Sequence, residues 1–172
     1  MKIAIIGAHC VGKTTLAEKL REHLKDYNLR IEPYYELEEL GYVFSEIPDV
    51  GDFIEQLKYS IKQISESDDN VIFDRCPIDI LAYIKALNRF ENIQLLYDKV
   101  ESTIDEIDLI VFVPIEEPDV IDCQDYPELR HDVNEILNDS ISGFDFGIET
   151  VKVKGNLSDR TNQVLDKISS IM

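Results

Sequence analysis

The sequence is short of positive charge. Its 172 residues include 17 Lys+Arg against 35 Asp+Glu, a formal net charge of −18. A domain this acidic repels phosphate backbones and anionic lipid headgroups, which argues against nucleic-acid coating and membrane-surface binding. Cysteine is scarce too: Cys10, Cys76 and Cys123 lie far apart and form no C-x-x-C pair. That pattern predicts neither a disulfide framework nor a zinc site, and it suits a reducing interior. Long apolar runs are missing. No stretch approaches the ~20 residues needed to span a bilayer, and Ile3-Ala4-Ile5-Ile6 is too short for the apolar region of a secretory signal. A soluble cytoplasmic protein is expected. Repeats and low-complexity linkers are also lacking, and at roughly 100–200 residues per domain the length predicts one domain. Hydrophobic residues make up 44% of the chain, enough for a core despite the charge.

What is present is an alternation of short apolar runs and amphipathic segments. Compact runs predict strands at 2–6, 71–73 and 109–113, with weaker signals at 30–35 and 150–153. Helical spacing covers 13–25, 53–64, 77–87, 93–104, 129–141 and 159–171. The strand candidates read as consecutive, not alternating, apolar residues, so both faces of the sheet are expected to be buried. The prediction is an α/β, doubly wound three-layer sandwich with a parallel sheet of about five strands. Residues 115–127 are acidic and carry Pro118 and Pro127. They are the expected mobile loop, within a lid spanning about 115–142.

Gly7-Ala8-His9-Cys10-Val11-Gly12-Lys13-Thr14 matches G-x-x-x-x-G-K-[ST] between a predicted strand and a predicted helix. Four such fixed positions recur by chance in only roughly one chain in a hundred of this length. The pattern has a mechanism: a nucleotide's phosphates would be cradled by backbone N–H groups from Gly7 to Thr15, Ala8, His9, Cys10 and Val11 included. Lys13 would address the β- and γ-phosphates, the Thr14 hydroxyl would ligate Mg²⁺, and the helix dipole would add to the pull. His9 and Cys10 are expected to contribute main-chain amides only.

Asn70-Val71-Ile72-Phe73-Asp74-Arg75 ends a second buried strand in a carboxylate, at the sheet edge where open α/β folds bind ligands. Beside a P-loop, Asp74 would position Mg²⁺ and Arg75 would reach a phosphate. The plainer alternative is that Asp74 caps the helix starting near Pro77.

The stretch Asp74-Arg75-Cys76-Pro77-Ile78-Asp79-Ile80-Leu81-Ala82-Tyr83 resembles the D-R-x-P-x-D-x-x-A-Y segment of small kinase-like ATP/GTP-binding domains of the AAA-labelled group. Those domains are related to ribosylnicotinamide kinase and, more distantly, to deoxynucleoside and thymidylate kinases. The segment from Tyr35 to Leu40 is similar to the family's E-x-x-R-E segment, although Glu38 and Glu39 stand where the family has an Arg. Residues 128–137 resemble its lid helix, and Val153-Lys154-Gly155-Asn156 with Arg160 its last strand, turn and helix. The resemblance implies an ATP- and Mg²⁺-dependent phosphotransferase. In it Glu36 would act as general base or bind acceptor hydroxyls, Arg130 would neutralise the transferring phosphoryl group, and Gly155-Asn156 would border the adenine. Against these roles stand a solvated acidic face for 36–39 and an ordinary surface arginine at 130.

Three functions fit these residues. The first is a kinase acting on a small acceptor, a nucleoside or nucleotide. The second is a regulatory NTPase switch; its GTPase form is disfavoured because Asn156-Leu157-Ser158-Asp159 lacks the Lys of N-K-x-D. The third is a polynucleotide end kinase, which the acidity opposes.

Overall fold

The computed structural model describes residues 1–87, 94–119, 121, 123–143 and 147–172. Five parallel strands form one sheet in the order β2-β3-β1-β4-β5. They are β1 (Lys2–Ile6), β2 (Asn28–Arg30), β3 (Val71–Asp74), β4 (Leu109–Phe112) and β5 (Glu149–Lys152). Between them run α1 (Lys13–His23), α2 (Pro33–Glu39), α3 (Val50–Ser65), α4 (Pro77–Leu87), α5 (Gln94–Ile104), α6 (Pro127–Gly143) and α7 (Leu157–Ile171). Every residue of β1, β3 and β4 is buried, as consecutive apolar runs require, so a helical layer covers each face. α1 packs with α7, while α3, α5 and α6 gather around α4. The order of strands reverses at β1, flanked by β3 and β4, and the segment leaving β1 therefore sits at the crevice between them. Among the described residues no helix is long and apolar enough to cross a membrane.

Most predicted segments return within a few residues, and one does not. The run at 30–35 is not a strand: β2 ends at Arg30 and α2 begins at Pro33. Pro33 presets the helical φ at the first position of α2, with Glu32 extended before it as the N-cap. The predicted helix at 93–104 is observed from Gln94, and its first residue, 93, lies outside the described residues.

The stretch 115–142 divides into two parts. The described residues before Pro127 are loop, but α6 is anchored by Val133 and Leu137, both fully buried in the core. Leu137→Ala should therefore cost about 2–5 kcal/mol, as large-to-small core changes do. A residue on a detached lid would cost under ~0.5 kcal/mol. The shift in urea midpoint at constant slope separates the two.

Candidate functional site

The loop after β1 is built on two conformational necessities. A Cβ on Gly7 would collide with the Val113 carbonyl at the end of β4, so only glycine lets the chain leave the sheet there. Gly12 is left-handed, φ 88°, and directs the backbone into α1. From outside, two buried arginines grip the loop's carbonyls. Arg130 donates from Nε to the His9 carbonyl at 3.0 Å and from Nη2 to the Cys10 carbonyl at 3.1 Å, while also pairing with Asp119. Arg160 donates from Nη1 to the Val11 carbonyl at 2.7 Å and from Nη2 to Glu116 at 2.6 Å. The carbonyls of His9, Cys10 and Val11 are thus engaged by cations, which offsets the repulsion they would exert on an anion.

Lys13 opens α1 and is only 5% exposed. Its ammonium donates to the Ala8 carbonyl at 2.6 Å. Burial, and then the nearby Arg75 cation, lower its pKa to about 8. The Thr14 hydroxyl donates at 2.6 Å to Oδ2 of Asp74, which the β1–β3 register places opposite Ile5. The other oxygen, Oδ1, is buried and has no hydrogen-bond partner. An orphaned carboxylate oxygen beside a threonine hydroxyl is the hard-oxygen donor set that Mg²⁺ takes, so Thr14 and Asp74 fit a metal site. Asp74 does not cap α4, since Oδ2 is taken by Thr14 and Oδ1 has no hydrogen bond. Asp79, in the first turn of α4, reaches back to accept from the Cys76 N–H at 2.9 Å. Thr15, next on α1, is exposed.

Beside the loop lies a cavity of about 230 Å³ lined by His9, Glu32, Asp52, Phe53, Arg75 and Tyr83, among others. Arg75, itself left-handed at φ 80°, binds Glu32 through Nε and Asp79 through Nη1 at 3.2 Å. Its guanidinium also lies over the Tyr83 ring, 5.1 Å from the centroid. Two carboxylates thus share one cation, and burial separates them. Asp79, fully buried, is pushed up to about 6 by desolvation in spite of Arg75. In Glu32 burial also acts upward, but Arg75 and Lys13 outweigh it and the pKa falls below the usual value. The same cation thus serves two acids of different pKa, and Glu32 is the one that stays ionised well into the acid range.

Asp79 has a consequence for stability. Its folded pKa lies above the ordinary carboxylate value of 3.8, so between about pH 4 and 6 the native state holds more protons than the unfolded chain. Stability falls as pH rises through that window, by roughly 3 kcal/mol in all. Asp79→Asn should flatten this part of the pH dependence. Urea denaturation of both proteins from pH 4 to 7 measures it, and an unchanged slope would place the titration elsewhere.

Several expected site residues stand in other roles. The His9 N–H donates to the Tyr83 hydroxyl at 2.7 Å, and its ring spans Tyr83 and the Asp125 carbonyl. Cys10 is disulfide-bonded to Cys123, which corrects the expectation of free thiols. The bond ties the phosphate loop to the segment after β4, and Cys76 is the free, buried cysteine. Glu36 does not line the cavity; it accepts from the Tyr59 hydroxyl at 2.8 Å. Asn156 caps α7 in a capping box with Asp159, and the Gly155 N–H donates to Glu116 at 3.0 Å. Glu32 lines the cavity without having been singled out by composition and spacing, and its signal was the Glu-Pro pair after β2. Asp79 and Tyr83 stand at the second D and the Y of the D-R-x-P-x-D-x-x-A-Y stretch, which gave them no role.

Comparison with known proteins places this architecture. The family model described as "AAA domain" matches residues 2–160. No curated protein sequence matches the chain. Among solved structures, a deoxyadenosine kinase from M. mycoides with bound dATP is 18% identical, with a TM-score of 0.70 over 98% of this chain and 100% of that one. A thymidylate kinase from Candida albicans is 17% identical, TM-score 0.69, over 99% and 91%. NadR in complex with NR is 18% identical, TM-score 0.71, with 98% of this chain covering 50% of that one. Likenesses at this identity establish the fold, that of P-loop nucleoside and nucleotide kinases. Because the family model runs from the first strand into the last helix, the chain belongs to the AAA domain family.

Proposed function

We propose that the protein transfers the γ-phosphoryl group of ATP to the hydroxyl or phosphate of a small acceptor of the nucleoside or nucleotide class. The observation that carries this reading is the cavity abutting the phosphate loop, with an ionised Glu32 and an aromatic lining. A nucleotide switch needs the loop but has no use for an acceptor-sized cavity with a base in it. The kinases of the same fold support the same class of acceptor.

In this reading the loop from Gly7 to Thr15 cradles the phosphates, with Lys13 on the transferring group. Thr14 and Asp74 would hold Mg²⁺, which would supply charge neutralisation for the phosphates. Arg130 and Arg160 keep the loop in its binding shape through their hydrogen bonds to the His9, Cys10 and Val11 carbonyls. Glu32, not Glu36, faces the acceptor and takes its hydroxyl proton. Arg75 fixes Glu32, and Gly155 and Asn156, linked through Glu116 to the Val11 end of the loop, border the nucleotide base.

Protein with Mg²⁺-ATP is to be tested against nucleosides, nucleoside monophosphates and oligonucleotides, with ADP formation as readout. ADP should appear with a specific small acceptor. Equal ADP release whatever is added would favour the switch, and stimulation by oligonucleotides alone would favour an end kinase.

A further inference from the structure

The charge of the acceptor cavity goes further than the reaction class. Resting on the phosphotransfer reading, we propose that the acceptor carries no phosphate. It is a flat heteroaromatic molecule with a free hydroxyl, of the nucleoside class and not the nucleoside monophosphate class.

Four carboxylates line the cavity, Glu32, Glu46, Asp49 and Asp52, against the single guanidinium of Arg75. His9 adds no charge at neutral pH, since burial, with Arg75, Lys13 and Arg130 nearby, lowers its pKa. Arg75 is not free to meet an anion. Its Nε is bound to Glu32, its Nη1 to Asp79, and its face to Tyr83. Its remaining N–H donors lie on the same guanidinium that Glu32 and Asp79 already hold, so a phosphate that reached them would meet those two carboxylates as it met the cation. Asp52 is a fixed anion, because its oxygens accept from the Tyr42 hydroxyl and the Ser45 N–H, both at 2.9 Å. A dianionic acceptor would therefore enter a negative field with no unengaged cation among the cavity's lining residues.

The walls suit the rest of such a molecule. Tyr34 stacks on Phe44 at 4.1 Å and Phe53 on Tyr83 at 4.7 Å, giving two aromatic surfaces on which a planar ring can pack. The reaction balances without an acceptor phosphate. The hydroxyl oxygen bonds to the γ-phosphorus as the bond to the β,γ-bridging oxygen breaks. The hydroxyl proton passes to Glu32, and ADP leaves with the electron pair.

The test compares kcat/KM for each of a panel of nucleosides with that of its own 5′-monophosphate, at saturating Mg²⁺-ATP. At least one nucleoside should exceed its monophosphate by ~100-fold or more, since like-charge juxtaposition costs several kcal/mol. Glu46→Lys, an exposed change at the cavity wall, should narrow that preference about tenfold while leaving ATP affinity unchanged. Monophosphates turned over as well as nucleosides would overturn the proposal and leave phosphotransfer standing. ATP binding with no turnover of either class would instead overturn the phosphotransfer reading, and this one with it. An unaltered preference in Glu46→Lys would remove the field as its cause and overturn the argument made here.

Discussion

Replacing Lys13 with alanine should weaken ATP binding about 10²–10³-fold while the protein folds at least as well. The ammonium is buried at the start of α1, with the Ala8 carbonyl as its hydrogen-bond partner. Charge-assisted hydrogen bonds to phosphate contribute about 1.5–3 kcal/mol each, and two of them account for that loss of affinity. The fold should not suffer, because burial already depresses the Lys13 pKa to about 8. A base whose folded pKa is lowered destabilises the native state at neutral pH, so its removal leaves the melting temperature unchanged or raises it. Lys19→Ala is the control. That lysine is exposed on the same helix, pairs with Glu22, and should leave affinity within about twofold. Calorimetric titration reads both variants, and full affinity in Lys13→Ala would detach the loop from nucleotide binding.

On the proposed reading, the same loop would let a chain of −18 bind phosphate. The attraction would come from main-chain amides, one lysine and a helix N-terminus, with the His9, Cys10 and Val11 carbonyls engaged by Arg130 and Arg160. None of this depends on net charge, whereas a long polyanion would meet the acidic surface along its length.

What could be read from the sequence follows how local each signal is. Gly7 to Thr14 and the strand ending in Asp74 are contiguous patterns whose geometry is dictated within a few residues, so both were legible. The sheet was legible because β1, β3 and β4 are uninterrupted apolar runs. Glu32 was hidden, since the residues around it read as a strand and the acids at 36–39 drew the base assignment. Pro33 was the overlooked clue: a proline suits the first turn of a helix, which makes the residue before it a cap at the sheet's edge. Other features have no local signature. Cys10 and Cys123 are separated by 113 residues. The grip of Arg130 and Arg160 on loop carbonyls exists only once α6 and α7 have packed.

Glu32→Gln is therefore the variant that decides between the two acids, and it should lower kcat by about 10²–10⁴, the usual contribution of a general base. Glutamine keeps the shape and can still accept from Arg75 through its amide oxygen, so the cavity should survive while the proton acceptor is lost. ATP affinity should stay within about threefold, because the change lies in the acceptor cavity and not in the phosphate loop. Glu36→Gln, by contrast, alters a group hydrogen-bonded to Tyr59 outside the cavity, and its kcat should stay within about threefold of the parent's. The pH profile adds a signature. Burial works to raise the Glu32 pKa, but Arg75 and Lys13 bring it below the ordinary 4.5. Glu32 should thus contribute its own acid limb only beneath that lowered pKa, where the carboxylate protonates, whereas Asp74, whose pKa burial raises, governs any fall above it. The Glu32→Gln protein, already without a base, should lack this acid limb. A large loss in Glu36→Gln with little change in Glu32→Gln would return the role to Glu36 and move the acceptor away from the cavity that Arg75 and Tyr83 enclose.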